Sequence, residues 1–365
     1  MPIRTCYLIL TSVLLLSLST LTVSQPRFEI TEITDQLDSP WALAELPDGQ
    51  LLITERRGRL IRINADQVHR ITGIPDVLDV GQGGLLDIKL HPRFSENSWL
   101  YLSYAQGTRG NNRLRLMRAK LAGNALTEQQ VIFSARPDKS GGLHYAGRIA
   151  FLPDNSLLLS IGDGYRYMDQ AQDKKSLLGK IIRLDENGKV PADNPFVNSP
   201  NSAAEVYSYG HRNPQGLIYD PVRQQIFSNE HGPKGGDEIN IIQPGNNYGW
   251  PVITYGVDYS GLSITPYRER PGMEQPLVDW TPSIAPSSIT VYYGNMFPEL
   301  QGDLLSTTLK ARHLRHVEMN GNKPVAEHEL LGELNERLRF IHTAMDGSIY
   351  LLTDSGKLLH LTSTE

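Results

Sequence analysis

The sequence predicts an all-β fold, a six-bladed β-propeller, and three observations predict it. Short apolar runs of β type recur along the chain, punctuated by Gly, Pro, Asp and Asn, while helical periodicity is scarce and best over Asp173 to Lys180. One unit, a strand followed by a Pro/Asp/Gly turn and a second apolar strand, recurs six times. An early β-type segment, Phe28–Ile33, is placed to complete the last unit beside Lys357–Leu361, which joins the two ends of the chain into a ring. Turn signals alone would also allow a β-sandwich; the repeat favours the ring.

The six copies read in order. They are Leu46-Pro-Asp-Gly through Thr54, His91-Pro-Arg-Phe leading to Trp99–Ser103, and Leu152-Pro-Asp-Asn through Ser160. Then come Asp220-Pro-Val-Arg through Ser228, Phe297-Pro-Glu-Leu through Ser306, and Met345-Asp-Gly-Ser through Thr353. The Pro-Asp and Asp-Gly pairs supply hairpin turns, and each apolar run supplies a buried strand. Copies start roughly 45 to 77 residues apart, which fits blades with uneven insertions. A blade alone cannot bury both faces, whereas a closed ring can.

The first residues read as an export signal. Arg4 precedes a mostly apolar run from Tyr7 to Leu18, and small and hydroxyl residues follow to Ser24, so residues 1–24 are expected to be removed near Ser24–Gln25. The run is short of the roughly 20 apolar residues a membrane span needs, and an uncleaved anchor is the alternative. Residues 25–365 are then one domain, periplasmic or secreted, with no membrane span after cleavage. Cys6 is the only cysteine and leaves with the signal, so disulfides and thiolate chemistry are excluded and a large apolar core must hold the fold. The net charge of −5 and the lack of a basic run argue against nucleic acid as a partner.

Polar insertions between the repeats carry the candidate chemistry. Gly81-Gln-Gly-Gly84 lets backbone approach a ligand, with Gln82 as donor and acceptor; an ordinary turn reads the same way. His144, in Gly141-Gly-Leu-His-Tyr-Ala-Gly-Arg148, sits at the head of a strand, where a general base is well placed, though a packed histidine is the plainer reading. Asp163, between glycines, could orient a neighbour, bind a cation or cap its own turn. Arg212 and Asn213 can donate to anionic or carbonyl oxygens, and the Gly232-Pro233 bend can turn its carbonyls outward as hard oxygen ligands for Ca²⁺. Asp237 and Glu238 read more plainly as turn caps, one of them pairing with Arg212. Lys310 and the pair Arg337 and Arg339 are late cations. Alternation places the two arginines on one face, where a multiply charged anion between them relieves their repulsion.

On these residues the chain resembles the soluble sugar dehydrogenases that depend on pyrroloquinoline quinone (PQQ), in their aldose branch. The resemblance runs from Leu37 to Leu361. It is carried by His144-Tyr-Ala-Gly-Arg148, Gly210-His-Arg-Asn213 with Gln215-Gly216, Glu230-His-Gly-Pro233 with Asp237-Glu-Ile-Asn240, Asn247-Tyr-Gly-Trp250 and Ser283-Ile-Ala-Pro-Ser287. It implies that PQQ and Ca²⁺ are cofactors and that aldoses are oxidised at the anomeric carbon to lactones. His144 is then the general base and Arg212 polarises the quinone carbonyl with Asn213 beside it. Lys310, Arg337 and Arg339 hold the cofactor's carboxylates, Gln82 contacts it, and Gly232 and Pro233 supply carbonyls to calcium. No haem-attachment motif is present, so electrons leave to an external acceptor. Two departures stand out: Leu143 replaces an Asp common before the catalytic His, and Tyr165-Arg-Tyr-Met168 differs from a glucose-specific loop. The competing readings are a calcium-dependent sugar lactone hydrolase, which needs clustered carboxylates in the channel, and a non-catalytic binding propeller.

Overall fold

The computed structural model describes residues 26–64 and 67–364; the expected signal, residues 1–24, lies outside the described residues. The fold is six four-stranded antiparallel sheets. Blade 1 comprises Pro40–Glu45, Leu51–Glu55, Arg59–Asn64 and Gln67–Ile71, counted outward from the ring centre. Blade 2 begins with Leu85–Leu90, blade 3 with Ala146–Phe151, blade 4 with Pro214–Asp220, blade 5 with Pro286–Val291 and blade 6 with Leu338–Thr343. These six inner strands pack side by side in ring order.

The ring closes as the sequence predicts. Phe28–Thr34 is the outer strand of blade 6, antiparallel to Leu358–Ser363, with Ile30 opposite Leu361 and Glu32 opposite Leu359. The repeat's apolar run is the second strand of each blade. Leu51–Glu55, Leu157–Ile161 and Leu304–Thr308 are buried at every position, because neighbouring blades cover both faces. The helix expected over Asp173 to Lys180 does not form. The Asp173 carboxylate accepts from the Lys175 amide at 2.9 Å and locks a turn, Gly179 takes φ +67°, and Lys180 opens a strand.

One device repeats around the ring and shapes the functional mouth. In all six blades the register between first and second strands shifts at the start of the inner strand, as at Pro40/Ala42, Ala146/Ile149 and Leu338/Phe340. Such bulges re-aim side chains and leave an amide without its ladder partner. Second-strand hydroxyls take up that amide and then reach the next blade. Thr54 accepts from the Ala42 amide and donates to the Leu86 carbonyl, and Ser103 accepts from Asp87 and donates to Gly147. Ser160 accepts from Arg148 and donates to Pro214, and Thr307 accepts from Ser288. Thr54, Ser103 and Ser160, which end the first three repeat copies, are thus seams between blades, whereas Ser228 donates to Gly216 within its own blade.

Candidate active site

The bulged inner-strand starts and the residues just past each second strand gather at one mouth of the ring. They enclose a cavity of about 260 Å³ lined by residues of every blade, among them Trp41, Gln82, Tyr145, Gln215, Ala285 and Arg337. Left-handed backbone at His144 (φ +50°), Ala146 (φ +57°) and Ala285 (φ +54°) clusters here, the sparsely populated conformation that binding sites tolerate.

His144 is buried and fixed from two sides. Its amide donates to Gln82 Oε1 at 2.8 Å, and its Nδ1 lies 2.7 Å from Asp163 Oδ1. The Asp163 carboxylate also accepts from the Tyr165 amide at 2.7 Å and from Trp250 Nε1 at 2.8 Å. Burial opposes its ionisation, but His144 and Arg212 outweigh burial and hold its pKa below the ordinary value. An ionised carboxylate only accepts, so the imidazole proton sits on Nδ1 and Nε2 keeps its lone pair. Burial lowers the imidazole pKa; Asp163 opposes this, Arg212 and Lys139 reinforce it, and the net is below 6.5. His144 is therefore neutral at pH 7, as a base must be. Gly162 makes the close approach possible, since a Cβ there would stand 2.3 Å from the His144 carbonyl oxygen. Asp163 acts both as the orienting partner and as the turn cap that the sequence left as alternatives, and it does so across a strand pair, without an acid at position 143.

Arg212 is held by Glu230. That carboxylate accepts from the Arg212 amide at 2.7 Å and from the fully buried His211 at 3.0 Å. The guanidinium turns away from the acids: Nη1 donates to the carbonyls of Gly232 at 2.7 Å and His231 at 3.0 Å, and the group lies 5.3 Å from the Trp250 ring centre. Arg212 therefore does not pair with Asp237 or Glu238, the plainer expectation. Asp237 instead accepts from the amides of Gly232 at 2.9 Å and Ala285 at 2.7 Å, and burial pushes its pKa up to about 6. Asn213 is buried with its Nδ2 unpartnered. Gly232 and Pro233 are buried, and a Cβ on Gly232 would stand 2.2 Å from the Gly236 carbonyl oxygen.

Arg337 and Arg339 do lie together, but the anion between them belongs to the chain. Asp354 accepts from Nε of both at 2.8 Å and from Arg339 Nη2 at 3.1 Å. Asp354 follows the second strand of blade 6, which pairs with the strand carrying Arg339, so register alone delivers it. Burial opposes its ionisation, but the two guanidinium groups win and hold its pKa below the usual value. Both arginines and Gln82 line the cavity; the Lys310 side chain is exposed next to Leu309, which does line it.

The sequence reading missed Asp354, Arg56, Trp41 and His231, all of which line the cavity. A signal existed for three of them. Arg56, His231 and Asp354 each follow the Ser or Thr that ends a repeat copy by one to three residues, as does Asp163. Beside this cavity an open groove runs past the His144 loop, lined by Leu143, Tyr165, Arg109 and Arg166. The Tyr165 ring stands edge-on to His144, centres 5.2 Å apart.

The lining suits a flat, anionic, carbonyl-bearing ligand. Three guanidinium groups face one carboxylate, Trp41 and Tyr145 supply rings, and the unpartnered Asn213 Nδ2 is a donor without an acceptor.

Comparison with known proteins agrees with the geometry. A family model described as Glucose / Sorbosone dehydrogenase matches residues 37–360. An uncharacterized Synechocystis protein, slr1608, is 46% identical over 93% of this chain and 88% of its own. Aldose sugar dehydrogenase YliI of Escherichia coli is 38% identical over 94% of this chain and 95% of its own. The PQQ-bound structure of aldose sugar dehydrogenase from Streptomyces coelicolor superposes with a TM-score of 0.75 at 31% identity, over 93% of this chain and 99% of that one.

Proposed function

The chain belongs to the glucose/sorbosone dehydrogenase family of oxidoreductases, and from that premise we propose that it oxidises aldoses at the anomeric carbon to lactones with PQQ and calcium. The observation that carries this reading is the neutral, Asp163-oriented His144 beside a cavity with an excess of two positive charges. Support for the cofactor comes from a PQQ-bound relative of the same fold and from a lining that matches a flat tricarboxylate.

Arg337 and Arg339 would hold carboxylates of PQQ, with Lys310 at the rim, and Gln82 and Asn213 would contact its polar edge. The carbonyls of Gly232 and Pro233 would supply hard oxygen ligands to calcium; the Gly232 oxygen already faces the Arg212 guanidinium and keeps a second lone pair. When bound, PQQ supplies the two-electron acceptor for the hydride that leaves the sugar carbon. His144 Nε2 takes the proton of the anomeric hydroxyl, and Asp163 stabilises the imidazolium that results. Arg212, locked by Glu230 and by two carbonyls, presents fixed positive charge where negative charge develops, at no cost of reorganisation.

Electrons would then pass to an external acceptor, and the expected leader over residues 1–24 supports a periplasmic or secreted setting. No helix among the described residues is long and apolar enough to cross a membrane. The lactone-hydrolase alternative needs a carboxylate cage, and among the described residues no group of three or more His, Cys, Asp or Glu side chains converges to hold a metal. The test is reconstitution: purified protein with PQQ and Ca²⁺ should reduce an artificial dye in an aldose-dependent way. Failure to bind PQQ, with or without calcium, overturns the proposal.

A further inference from the structure

A second enclosed space lies inside the ring, separate from the mouth cavity. It measures about 170 Å³ and is lined by Asp87, Lys89, Arg148, Ser288, His342 and Thr343 among others. Arg148 is its main feature. It is 2% exposed, its Nε donates to the Gln215 carbonyl at 2.5 Å, and both Nη1 and Nη2 are buried without a hydrogen-bond partner. Thr343 Oγ1 is buried and unpartnered as well, and Lys89 makes no ion pair or side-chain hydrogen bond among the described residues.

Stacking fixes the guanidinium in place: its central carbon lies 3.6 Å from the Trp41 ring centre and 5.0 Å from that of Phe340. Trp41 lines the mouth cavity and Arg148 lines the inner one, so this stacked pair lies between the two.

Asp87, the one carboxylate near Arg148 among the described residues, is largely committed elsewhere. Asp87 Oδ1 accepts from the Ile88 amide at 3.0 Å and Oδ2 from the Ile149 amide at 2.8 Å, and its nearest approach to Arg148 Nη1 is 3.6 Å. His342 Nε2 lies 3.0 Å from Glu45 Oε2, so that carboxylate faces the histidine and not Arg148. Arg148 Nη1, Arg148 Nη2 and Thr343 Oγ1 thus converge on the chamber as donors without acceptors, with Lys89, whose pKa burial lowers, beside them. Guanidinium and ammonium groups donate and cannot accept. Water can satisfy a neutral donor, but a buried guanidinium whose nearest carboxylate stands 3.6 Å off is the costly group.

We propose that this chamber is a binding site for a small monovalent anion of the halide class, held by Arg148 Nη1 and Nη2, the Lys89 ammonium and the Thr343 hydroxyl. The site is independent of the quinone reading, because none of these groups lines the mouth cavity. Its role is structural: the anion accepts from donors that the fold leaves unpaired and holds Arg148 against Trp41.

The test uses the protein without added cofactor. Crystals grown halide-free and soaked in bromide should show an anomalous peak within hydrogen-bond range of the Arg148 guanidinium. The thermal midpoint should rise saturably with chloride at constant ionic strength, with the sodium salt of a bulky buffer anion as the balance. Lys89→Met and Thr343→Val should weaken that dependence while native circular dichroism is retained. Arg148→Met should abolish it; if that variant fails to fold, the other two carry the test. Density for water alone with no anomalous peak, or a chloride response unchanged in Lys89→Met, overturns the proposal.

Discussion

Replacing Asp163 by Asn is the sharpest probe of the proposed catalytic arrangement. The carboxylate accepts three donors, His144 Nδ1 and the Tyr165 amide on Oδ1 and Trp250 Nε1 on Oδ2. An amide can present only one oxygen. With that oxygen toward His144, the Trp250 N–H faces an NH₂ group, and a buried hydrogen bond worth about 1–3 kcal/mol is lost. With it toward Trp250, the NH₂ group faces Nδ1, and the imidazole keeps its proton on Nε2, where it cannot act as a base. Either way the imidazolium loses its counter-charge. A base deprived of its orienting carboxylate loses about 10² to 10⁴ in rate, or about 2.7 to 5.4 kcal/mol of barrier. Because Asp163 raises the His144 pKa against burial, the acid limb of kcat/KM, already expected below pH 6.5, should move lower still in the variant. The assay is aldose-driven dye reduction by enzyme reconstituted with PQQ and calcium, profiled against pH, with near-ultraviolet circular dichroism as the control for folding. A folded variant with kcat/KM within about threefold of the parent and an unmoved acid limb would refute the reasoning.

Further outcomes follow from other contacts. His231 is held down to about 3 by burial, then by Arg212, so the native state refuses a proton that the unfolded chain accepts below about pH 6.5. Its folded pKa is depressed, so stability falls as pH drops from about 6.5 towards 3, by up to about 1.4 kcal/mol per pH unit. Asp237, raised to about 6, acts oppositely between about pH 6 and 4. His231→Gln should therefore flatten the acid side of the urea-unfolding profile, and an unchanged slope would show that His231 does not govern it. Ser103→Ala should lower unfolding stability by about 2 kcal/mol or more, because it strands the Asp87 amide and the Gly147 carbonyl in a buried seam; an unmoved urea midpoint counts against the seam. Arg339→Gln should weaken PQQ binding about 10- to 100-fold by equilibrium titration, since it removes a charge-assisted contact. Lys310→Gln, on an exposed side chain, should cost less than about tenfold, and the reverse order would displace the carboxylate site from the blade 6 arginines towards the rim.

The ring was legible in the sequence because its repeat is marked by chemistry that turns demand. Pro-Asp and Asp-Gly pairs before apolar runs name the hairpins, and the pairing of Phe28–Thr34 with the last strand was readable from the odd β-segment left over at the start. The site was legible in part. His144 and Arg212 stand in insertions whose polarity and glycines have no other evident use, and strand alternation put Arg337 and Arg339 on one face. Asp354 was not found, because Thr353-Asp-Ser-Gly356 reads as one more turn and nothing local says that its carboxylate crosses to the neighbouring strand. The short helix expected over Asp173 to Lys180 failed for the converse reason: its apolar spacing reflects Leu177 and Leu178 entering the core from a turn, and Asp173 caps that turn in preference to starting a helix. The terminal Ser or Thr of every repeat copy was visible, but the seams that Thr54, Ser103 and Ser160 make depend on bulges that a linear reading does not show.

The way the ring is fastened sets an order on its making. Phe28–Thr34 is synthesised before all six inner strands, yet its hydrogen-bonding partner, Leu358–Ser363, comes after them. Until that partner is made this segment is a bare edge, open to pairing with another copy. Losing Leu358–Ser363 would unpair Phe28–Thr34 and leave blade 6, which carries Arg339, with two strands.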